Sequence, residues 1–266
     1  MTREEFADFL AKLKTAKEFG QDLDAIVKEY EHRNVYFYND GCIKKILASE
    51  KNLMLTTDLI NAALNLVGSD RISIDVQHEN SESIFNDRLV LYVARLTSGM
   101  VKAGEPARLE NLHVVSFQFF DAFKESPNYR HTVQLRNQEQ RVYFDRQTVT
   151  LIEVNKFLRH KEKFAGDNSR IAQWLRAIDA LNREVDFSEF ATDPVFKVLQ
   201  NEVKLCNFSA RYMLSTMMRD VEQATWEYCG GLKKAREIAK EMRDMGEPIE
   251  KIRSYTKLSE KEIREL

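Results

Sequence analysis

The sequence predicts an α/β protein, in which a mixed β-sheet core lies between amino-terminal helices and an all-helical carboxy-terminal region. Residues 71–77 alternate polar and apolar side chains, and residues 112–120 form a largely hydrophobic run, so both stretches favour strands. The chain has only four prolines and nine glycines, which favours long helices elsewhere. With 266 residues, 43% of them hydrophobic, it can bury a substantial core.

Three zones follow one another along the chain. Residues 1–33 repeat apolar side chains every three or four positions, which indicates amphipathic helices that pack on the core or on a partner. Residues 34–160 mix helices and strands, and residues 161–266 have a mainly helical pattern. The expected strands are residues 71–77, 112–120, 130–136, 141–144 and 148–154, with residues 137–140 as a hairpin turn.

The order of strand, helix and strand in the middle zone predicts a parallel pair. We expect the strand at residues 112–120 to lie centrally, beside the strand that ends at Gln77, because such connections are right-handed crossovers within one sheet. The intervening helix, residues 85–101, should pack across both strands.

Charge and cysteine content narrow the function classes. The formal net charge of −2 gives no global basic field, so DNA would have to bind through local patches such as residues 233–243, where acidic residues are interleaved with the basic ones. The three cysteines are too far apart for the common zinc spacings and are expected to be free thiols. With no apolar signal segment and no run that could cross a membrane, a cytoplasmic location is expected.

The strand at residues 71–77 carries the most informative polar pair. Asp75 and Gln77 are two residues apart, so a strand would present both on one face. The carboxylate suits a divalent metal ion and the amide suits the orientation of a water or a phosphate, although a polar, solvent-facing strand edge is the alternative. On the following helix, Arg88 and Tyr92 would brace this site, or else the arginine stem simply covers the aromatic ring.

Short motifs before, within and after this strand follow one another in a characteristic order. They occupy residues 40–47, 58–64, 70–72, 75–77, 88–92 and 151–157. Together they resemble the PD-(D/E)XK nuclease family transposases, recombination-promoting nucleases of the Rpn type. That family has Asp-x-x-Phe-Lys, a helix with Leu-x-Asn-x-Leu-Leu, a strand with Glu-x-Gln, an Arg-x-x-Tyr helix and a strand end similar to Glu-Leu-x-Lys-Phe. The resemblance covers most of the chain from about Val35 onward.

This resemblance implies a restriction-endonuclease-like core and a metal-dependent DNA nuclease linked to recombination or transposition, working with Mg²⁺ or Mn²⁺. It implies Asp75 as a metal ligand, and Gln77 in the place where the wider superfamily uses lysine. Asp40 is the candidate second acid and second metal ligand, with a helix N-cap as the more ordinary explanation for an Asp at that position.

Two departures from the family pattern weaken the expectation of catalysis. In the family, a further strand with the first metal-binding Asp precedes the Glu-x-Gln strand, whereas here Asp70 leads directly towards Asp75. In addition, Asp75 itself stands where the family has Glu. The core is therefore expected to be truncated. Because this chemistry needs at least two carboxylates at the metal, we expect weak or absent nuclease activity, with a catalytically inactive DNA- or protein-binding module as the alternative. The truncation also predicts an open sheet edge at residues 71–77, and hence self-association into a homo-oligomer.

Overall fold

The computed structural model describes two compact units, Met1–Phe208 and Ser209–Leu266. The described residues are 1–64, 71–77, 82–100, 109–215, 238–245, 247–256, 260 and 263, with the backbone alone at 71–77, 82–85 and 88. The division of the chain at residues 33 and 160, expected from sequence, stays a prediction.

The first unit contains a four-stranded sheet with the order β1-β2-β4-β3. Its strands are β1 (Arg71–Gln77), β2 (Leu112–Gln118), β3 (Arg130–Arg136) and β4 (Val142–Glu153). β1, β2 and β4 run parallel, and β3 pairs antiparallel with β4. The mixed α/β sheet and the central position of β2 beside β1 are thus confirmed. Among the described strands, β1 and β3 form the two edges, so the edge position expected for β1 is also confirmed.

β4 differs from the prediction of two short strands. Residues 142–144 and 148–153 belong to a single strand, Arg141 precedes it, and Val154 already starts a helix. The polar residues between them suggested a break, but an irregular register opposite β3, between Val133 and Leu135, accommodates the extra residues. The predicted turn at residues 137–140 is confirmed: Asn137 N–H donates to Arg141 O at 3.0 Å, and Gln140 is left-handed with φ 63°.

Helices surround the sheet and make up the rest of the first unit. They are α1 (Arg3–Glu18), α2 (Leu23–Glu29), α3 (Asp40–Leu47), α4 (Leu53–Leu64), α5 (Glu82–Ser98), α6 (Val154–Arg159), α7 (Arg170–Arg183) and α8 (Pro194–Glu202). Several begin at polar caps that sequence chemistry favours, such as the Thr2 and Glu5 capping box of α1 and the Asp193 cap of α8.

The core lies on both faces of the sheet. On one face α5 packs on β2 and β4; the residues in contact are Leu112, Val114, Phe120, Val149 and Leu151 from the sheet side and Leu89, Val93, Leu96 and Met100 from the helix side. The predicted packing of this helix on β2 is confirmed, and its packing on β1 stays a prediction. On the other face Phe117 packs against Tyr38, and α4 contacts both β2 and α7. Because both faces are covered, β2 is buried along its whole length.

The second unit is helical wherever it is described. Residues 210–215 and 238–244 are helical, and α9 spans Ile249–Thr256. Ala239, Ile252 and Ile263 form a small buried cluster. The basic stretch at residues 233–243 lies partly outside the described residues. No helix in the described ranges is long and apolar enough to cross a bilayer.

Arg170 at the start of α7 joins three helices of the first unit. Its guanidinium binds Asp58 of α4 at 2.8 Å and Asp193 at 2.6 Å, and it stacks on the ring of Phe196. Asp58 also accepts a bond from Trp174 Nε1 at 2.6 Å. Asp58 therefore lies within α4 and binds two residues of α7.

Replacing Arg170 by methionine should lower the free energy of unfolding at neutral pH by roughly 2–3 kcal/mol, because charge-assisted hydrogen bonds to two carboxylates are lost. Hydrogen bonding to Arg170 lowers the pKa of Asp193 below its ordinary 3.8. The stabilisation from this hydrogen bond is present above about pH 4 and is lost as the pH falls further. The difference in unfolding free energy between the parent protein and Arg170→Met should therefore be smaller in acid.

Urea titrations at neutral and acidic pH measure this difference in unfolding free energy. Arg183→Met is the matched control, because Arg183 is 55% exposed and its loss should change stability by less than about 0.5 kcal/mol. A difference that stays constant on acidification would contradict the role of Asp193.

Candidate active site

The carboxyl ends of three parallel strands bring three polar residues into one row. Gln77 of β1 is in register with Gln118 of β2, which in turn is in register with Glu153 of β4. Two residues earlier, Asp75 is in register with Ser116. In parallel sheets, ligands bind outside the carboxyl ends of the strands, so this row is the candidate active site.

Gln118 is the unusual member of the row. Its side chain is 0% exposed, and in the described part of the chain neither amide atom has a hydrogen-bond partner. The hydroxyl of Ser116 is buried and unpartnered in the same way. A buried polar group left unpaired costs roughly 1–3 kcal/mol, and such groups often mark a functional position. The Gln118 amide can donate to a phosphate oxygen through Nε2 and accept from a water through Oε1.

Glu153, by contrast, has a cation as its partner. It is completely buried and forms an ion pair with Lys156, which lies one turn later on α6 and is itself buried. Glu153 Oε1 also accepts the Phe123 N–H at 2.8 Å, and His131 Nε2 lies 3.5 Å from Oε2.

Lys156 extends this network to the loop after β2. Its Nζ donates to Phe123 O at 2.7 Å and to Ser126 O at 3.2 Å. The same loop is tied to α6 by Asn155, whose amide donates to Phe119 O at 2.5 Å. The pair therefore holds the end of β4, the start of α6 and the loop together.

The residues predicted from sequence are placed as follows. Asp75 and Gln77 occupy the register positions given above, and α5 carries Arg88 and Tyr92 on the side of the sheet where Leu89 and Val93 are packed. Tyr92 is 37% exposed. Whether these four residues act together at the site stays a prediction.

Asp40 is not the N-cap of its helix. The N-cap of α3 is Asn39, whose side chain accepts the Cys42 N–H at 3.1 Å. Asp40 is the first helical residue, and its carboxylate accepts from Lys44 Nζ at 2.7 Å on the helix surface. The capping explanation for Asp40 is therefore wrong by one residue, because the amide of Asn39 takes the capping position. Its role as a second metal ligand stays a prediction.

The row offers oxygen ligands but little negative charge. No three His, Cys, Asp or Glu side chains gather in a metal-binding group in the ranges that the structure describes. The unpartnered oxygens beside the register position of Asp75 belong to Ser116 and Gln118, and both are neutral. Mg²⁺ takes oxygen ligands and commonly relies on one or two carboxylates plus substrate phosphates. Together with a carboxylate, these neutral oxygens would suit a divalent metal ion that is held weakly.

Sequence reasoning did not single out Ser116, Gln118 or Lys156. A signal for the first two was present: Ser116 and Gln118 are polar residues two apart in a mainly apolar strand, which is the same spacing as Asp75 and Gln77. The segment with Glu153 and Lys156 contributed to the family resemblance without receiving a role. Their pairing depends on a helix starting directly at the end of β4, which the strand pattern did not predict.

Replacing Gln118 by methionine should raise the free energy of unfolding by roughly 1 kcal/mol, because a side chain of similar volume removes the unpaired polar atoms. Chemical denaturation measures this change. Asn182→Leu is the matched control, since Asn182 Oδ1 accepts the Phe37 N–H at 2.9 Å and its loss should destabilise by roughly 2 kcal/mol. A Gln118→Met variant that is less stable than the parent would mean that the amide is paired.

Replacing Lys156 by methionine should lower the free energy of unfolding by roughly 3–5 kcal/mol, because the Glu153 carboxylate is left buried without its cation. The double variant Glu153→Gln/Lys156→Met should lose less than Lys156→Met alone, since no buried charge remains. Thermal and urea unfolding of the three proteins test this. Equal losses in the single and double variants would rule out the ion pair as the cause.

Comparisons with known proteins identify the family of the chain. No curated protein and no solved structure matches the chain. The family description "PD-(D/E)XK nuclease family transposase" matches residues 65–235, which include the whole sheet and well over half of the chain. The chain therefore belongs to the PD-(D/E)XK nuclease family transposases.

Proposed function

We propose that this protein binds DNA as a recombination-linked member of its family and that its nuclease activity is weak or absent. The observation that carries the proposal is the charge of the register row. One position, Asp75, matches the acidic residue of the family strand, whereas the row's other carboxylate, Glu153, is already paired with Lys156. A single available carboxylate favours low metal affinity.

In this proposal Asp75 is the metal ligand, Gln77 orients a water or a phosphate, and Arg88 and Tyr92 brace the site. PD-(D/E)XK nucleases generally use divalent metals, and Mg²⁺ or Mn²⁺ would supply Lewis-acid stabilisation of the phosphate and a more acidic bound water. Ser116 and Gln118 add neutral oxygens, and the Gln118 amide can hold a phosphate oxygen without adding charge.

A catalytically inactive DNA- or protein-binding module is the second candidate. It is favoured by the fact that Asp40 and Glu153 each already have a lysine partner, Lys44 and Lys156 respectively. Recruiting either carboxylate to a metal would require that ion pair to break.

The proposal also includes a cytoplasmic location and a homo-oligomer. The first is supported by Cys42 and Cys206, which form no disulfide. The second is supported by the open sheet edges.

Cleavage of supercoiled and linear DNA with Mg²⁺ or Mn²⁺ should be slow or undetectable in the parent protein. Any cleavage present should disappear in Asp75→Ala, because the metal loses its family-matched carboxylate, and should fall roughly 10- to 100-fold in Gln77→Ala. Asp40→Ala tests the second acid, with Lys44→Ala as the control for loss of the surface pair.

Robust cleavage that both Asp75→Ala and Asp40→Ala abolish would overturn the proposal of a weak nuclease and establish Asp40 as the missing acid. Cleavage unaffected by Asp75→Ala would place the chemistry elsewhere. Without cleavage, DNA binding that weakens steeply as salt rises supports the DNA-binding module, and no binding leaves protein interaction as the function.

A further inference from the structure

The hairpin formed by β3 and β4 is a locally basic surface on a weakly acidic protein. We call residues 130–147 the β3–β4 hairpin; it runs from the start of β3 to the point where β4 meets the start of β2. The whole chain has a formal charge of −2, whereas the β3–β4 hairpin has four arginines and two acids, together with four glutamines and one asparagine. These residues are Arg130, Arg136, Arg141, Arg146, Glu139, Asp145, Gln134, Gln138, Gln140, Gln147 and Asn137.

The four arginines of the β3–β4 hairpin bind no carboxylate in the part of the chain that the structure describes. Arg136 donates to Gln140 O at 2.6 Å and to Gln134 Oε1 at 2.8 Å, and Arg146 donates to Leu109 O at 3.1 Å. Other arginines of the same unit do form ion pairs with carboxylates; they are Arg33, Arg159, Arg170, Arg176 and Arg183. The positive charges of the β3–β4 hairpin are therefore available to an anion outside the chain.

β3 presents part of this charge along an open sheet edge. Among the described strands it has β4 as its neighbour on one side and none on the other, and it contains no acidic residue. From Arg130 to Arg136 it extends roughly 20 Å at about 3.4 Å per residue. This length matches about six base pairs, because the phosphates of one DNA strand are about 3.4 Å apart along the helix axis. Arg130 is in register with Ile152, so the basic edge begins beside Glu153 of the register row and ends at the turn.

The turn end of the β3–β4 hairpin has the shape and the side chains that read base edges. Residues 142–146 of β4 have β3 as their neighbour but lie beyond the start of β2, so this end is a two-stranded ribbon among the described strands. The major groove of DNA admits such a ribbon, and in it arginine binds guanine while glutamine binds adenine. Gln138, Gln140 and Arg141 are all exposed at this end. Asn137 instead accepts the Arg141 N–H at 2.9 Å and holds the turn.

A protein partner fits the β3–β4 hairpin less well than DNA does. Leu135, Val142 and Tyr143 are exposed, but Val142 and Tyr143 are consecutive strand residues that point to opposite faces. The exposed apolar side chains therefore do not form one patch of the kind that protein interfaces use. Duplex DNA needs no such patch, and its regular phosphates are complementary to a row of arginines. Glu139 and Asp145 weaken this attraction without reversing it, since the arginines outnumber them.

We propose that the β3–β4 hairpin is the surface that holds duplex DNA: the duplex lies along the β3 edge, and the turn end of the hairpin enters its major groove. This inference rests on the proposed DNA binding and adds where the duplex lies. The arginines bind phosphates and base edges without a metal ion, so the affinity for DNA is independent of metal bound at the register row. The bound duplex extends from the register row, beside Arg130, to the turn at residues 137–140.

Fluorescence anisotropy of a labelled duplex with the full chain, in EDTA and at several salt concentrations, tests the phosphate contacts. Arg130→Ala and Arg141→Ala should each weaken binding roughly tenfold and lower the slope of log Kd against log salt by about one, because each removes one phosphate-neutralising charge. Neither side chain has a hydrogen bond or an ion pair among the described residues, so the fold should be unaffected. Arg183→Ala is the matched control, with the same charge change at an arginine that is 55% exposed on α7, and should leave binding unchanged.

A duplex in which 7-deazaguanine replaces guanine tests the groove. It lacks the N7 acceptor in the major groove but keeps every phosphate. The parent protein should bind this duplex severalfold more weakly than the unmodified one, with the same salt dependence. Tyr143→Ala should also weaken binding without changing the salt slope, because Tyr143 is 82% exposed and carries no charge. Its matched control is Phe19→Ala, at an aromatic residue that is 76% exposed on another surface of the same unit.

The possible failures are distinguishable. If the parent protein binds no DNA in EDTA or in Mg²⁺, the proposed DNA binding and this inference both fail. If the parent protein binds DNA and the Arg130 and Arg141 variants bind it equally well, the inference alone is overturned, and loss of binding in Asp75→Ala then assigns the DNA to the register row. Equal affinity for the two duplexes would overturn the placement in the major groove.

Discussion

The buried ion pair between Glu153 and Lys156 is the interaction on which the candidate site depends. It lies where β4 ends and α6 begins, and both partners also bind the backbone of the loop after β2. A buried charge is stable only when it is paired and hydrogen-bonded. One contact therefore fixes three segments, and neither residue can be released to another ligand without destabilising all of them.

This constraint sets the chemistry of the register row. With Glu153 used for structure, the buried side chains of the row that have no hydrogen-bond partner among the described residues are the neutral Gln118 and Ser116. They can bind a phosphate oxygen or a water, but they contribute no charge to a metal ion. This lack of charge is the reason why we propose that the site holds a phosphate backbone more readily than it hydrolyses one.

Arginines have two different roles in the first unit. Arg170 joins α4, α7 and α8 through two carboxylates and an aromatic ring, so its charge stabilises the fold. Arg136 and Arg146 instead donate to neutral oxygens, namely Gln140 O, Gln134 Oε1 and Leu109 O. Among the described residues, the contribution of an arginine to the fold therefore depends on whether carboxylates of neighbouring helices lie within reach.

The sequence by itself determined the class of the fold and the family. Strand alternation, an apolar central strand and the order of weak motifs predicted the parallel pair of β1 and β2, the hairpin turn and the crossover helix, because these patterns are local. Only the tertiary structure decided that Gln118 is buried without a hydrogen-bond partner among the described residues, that Glu153 pairs with Lys156, and that Asp58 binds Arg170. Those facts depend on register and on contacts between distant segments, which periodicity along the chain does not encode.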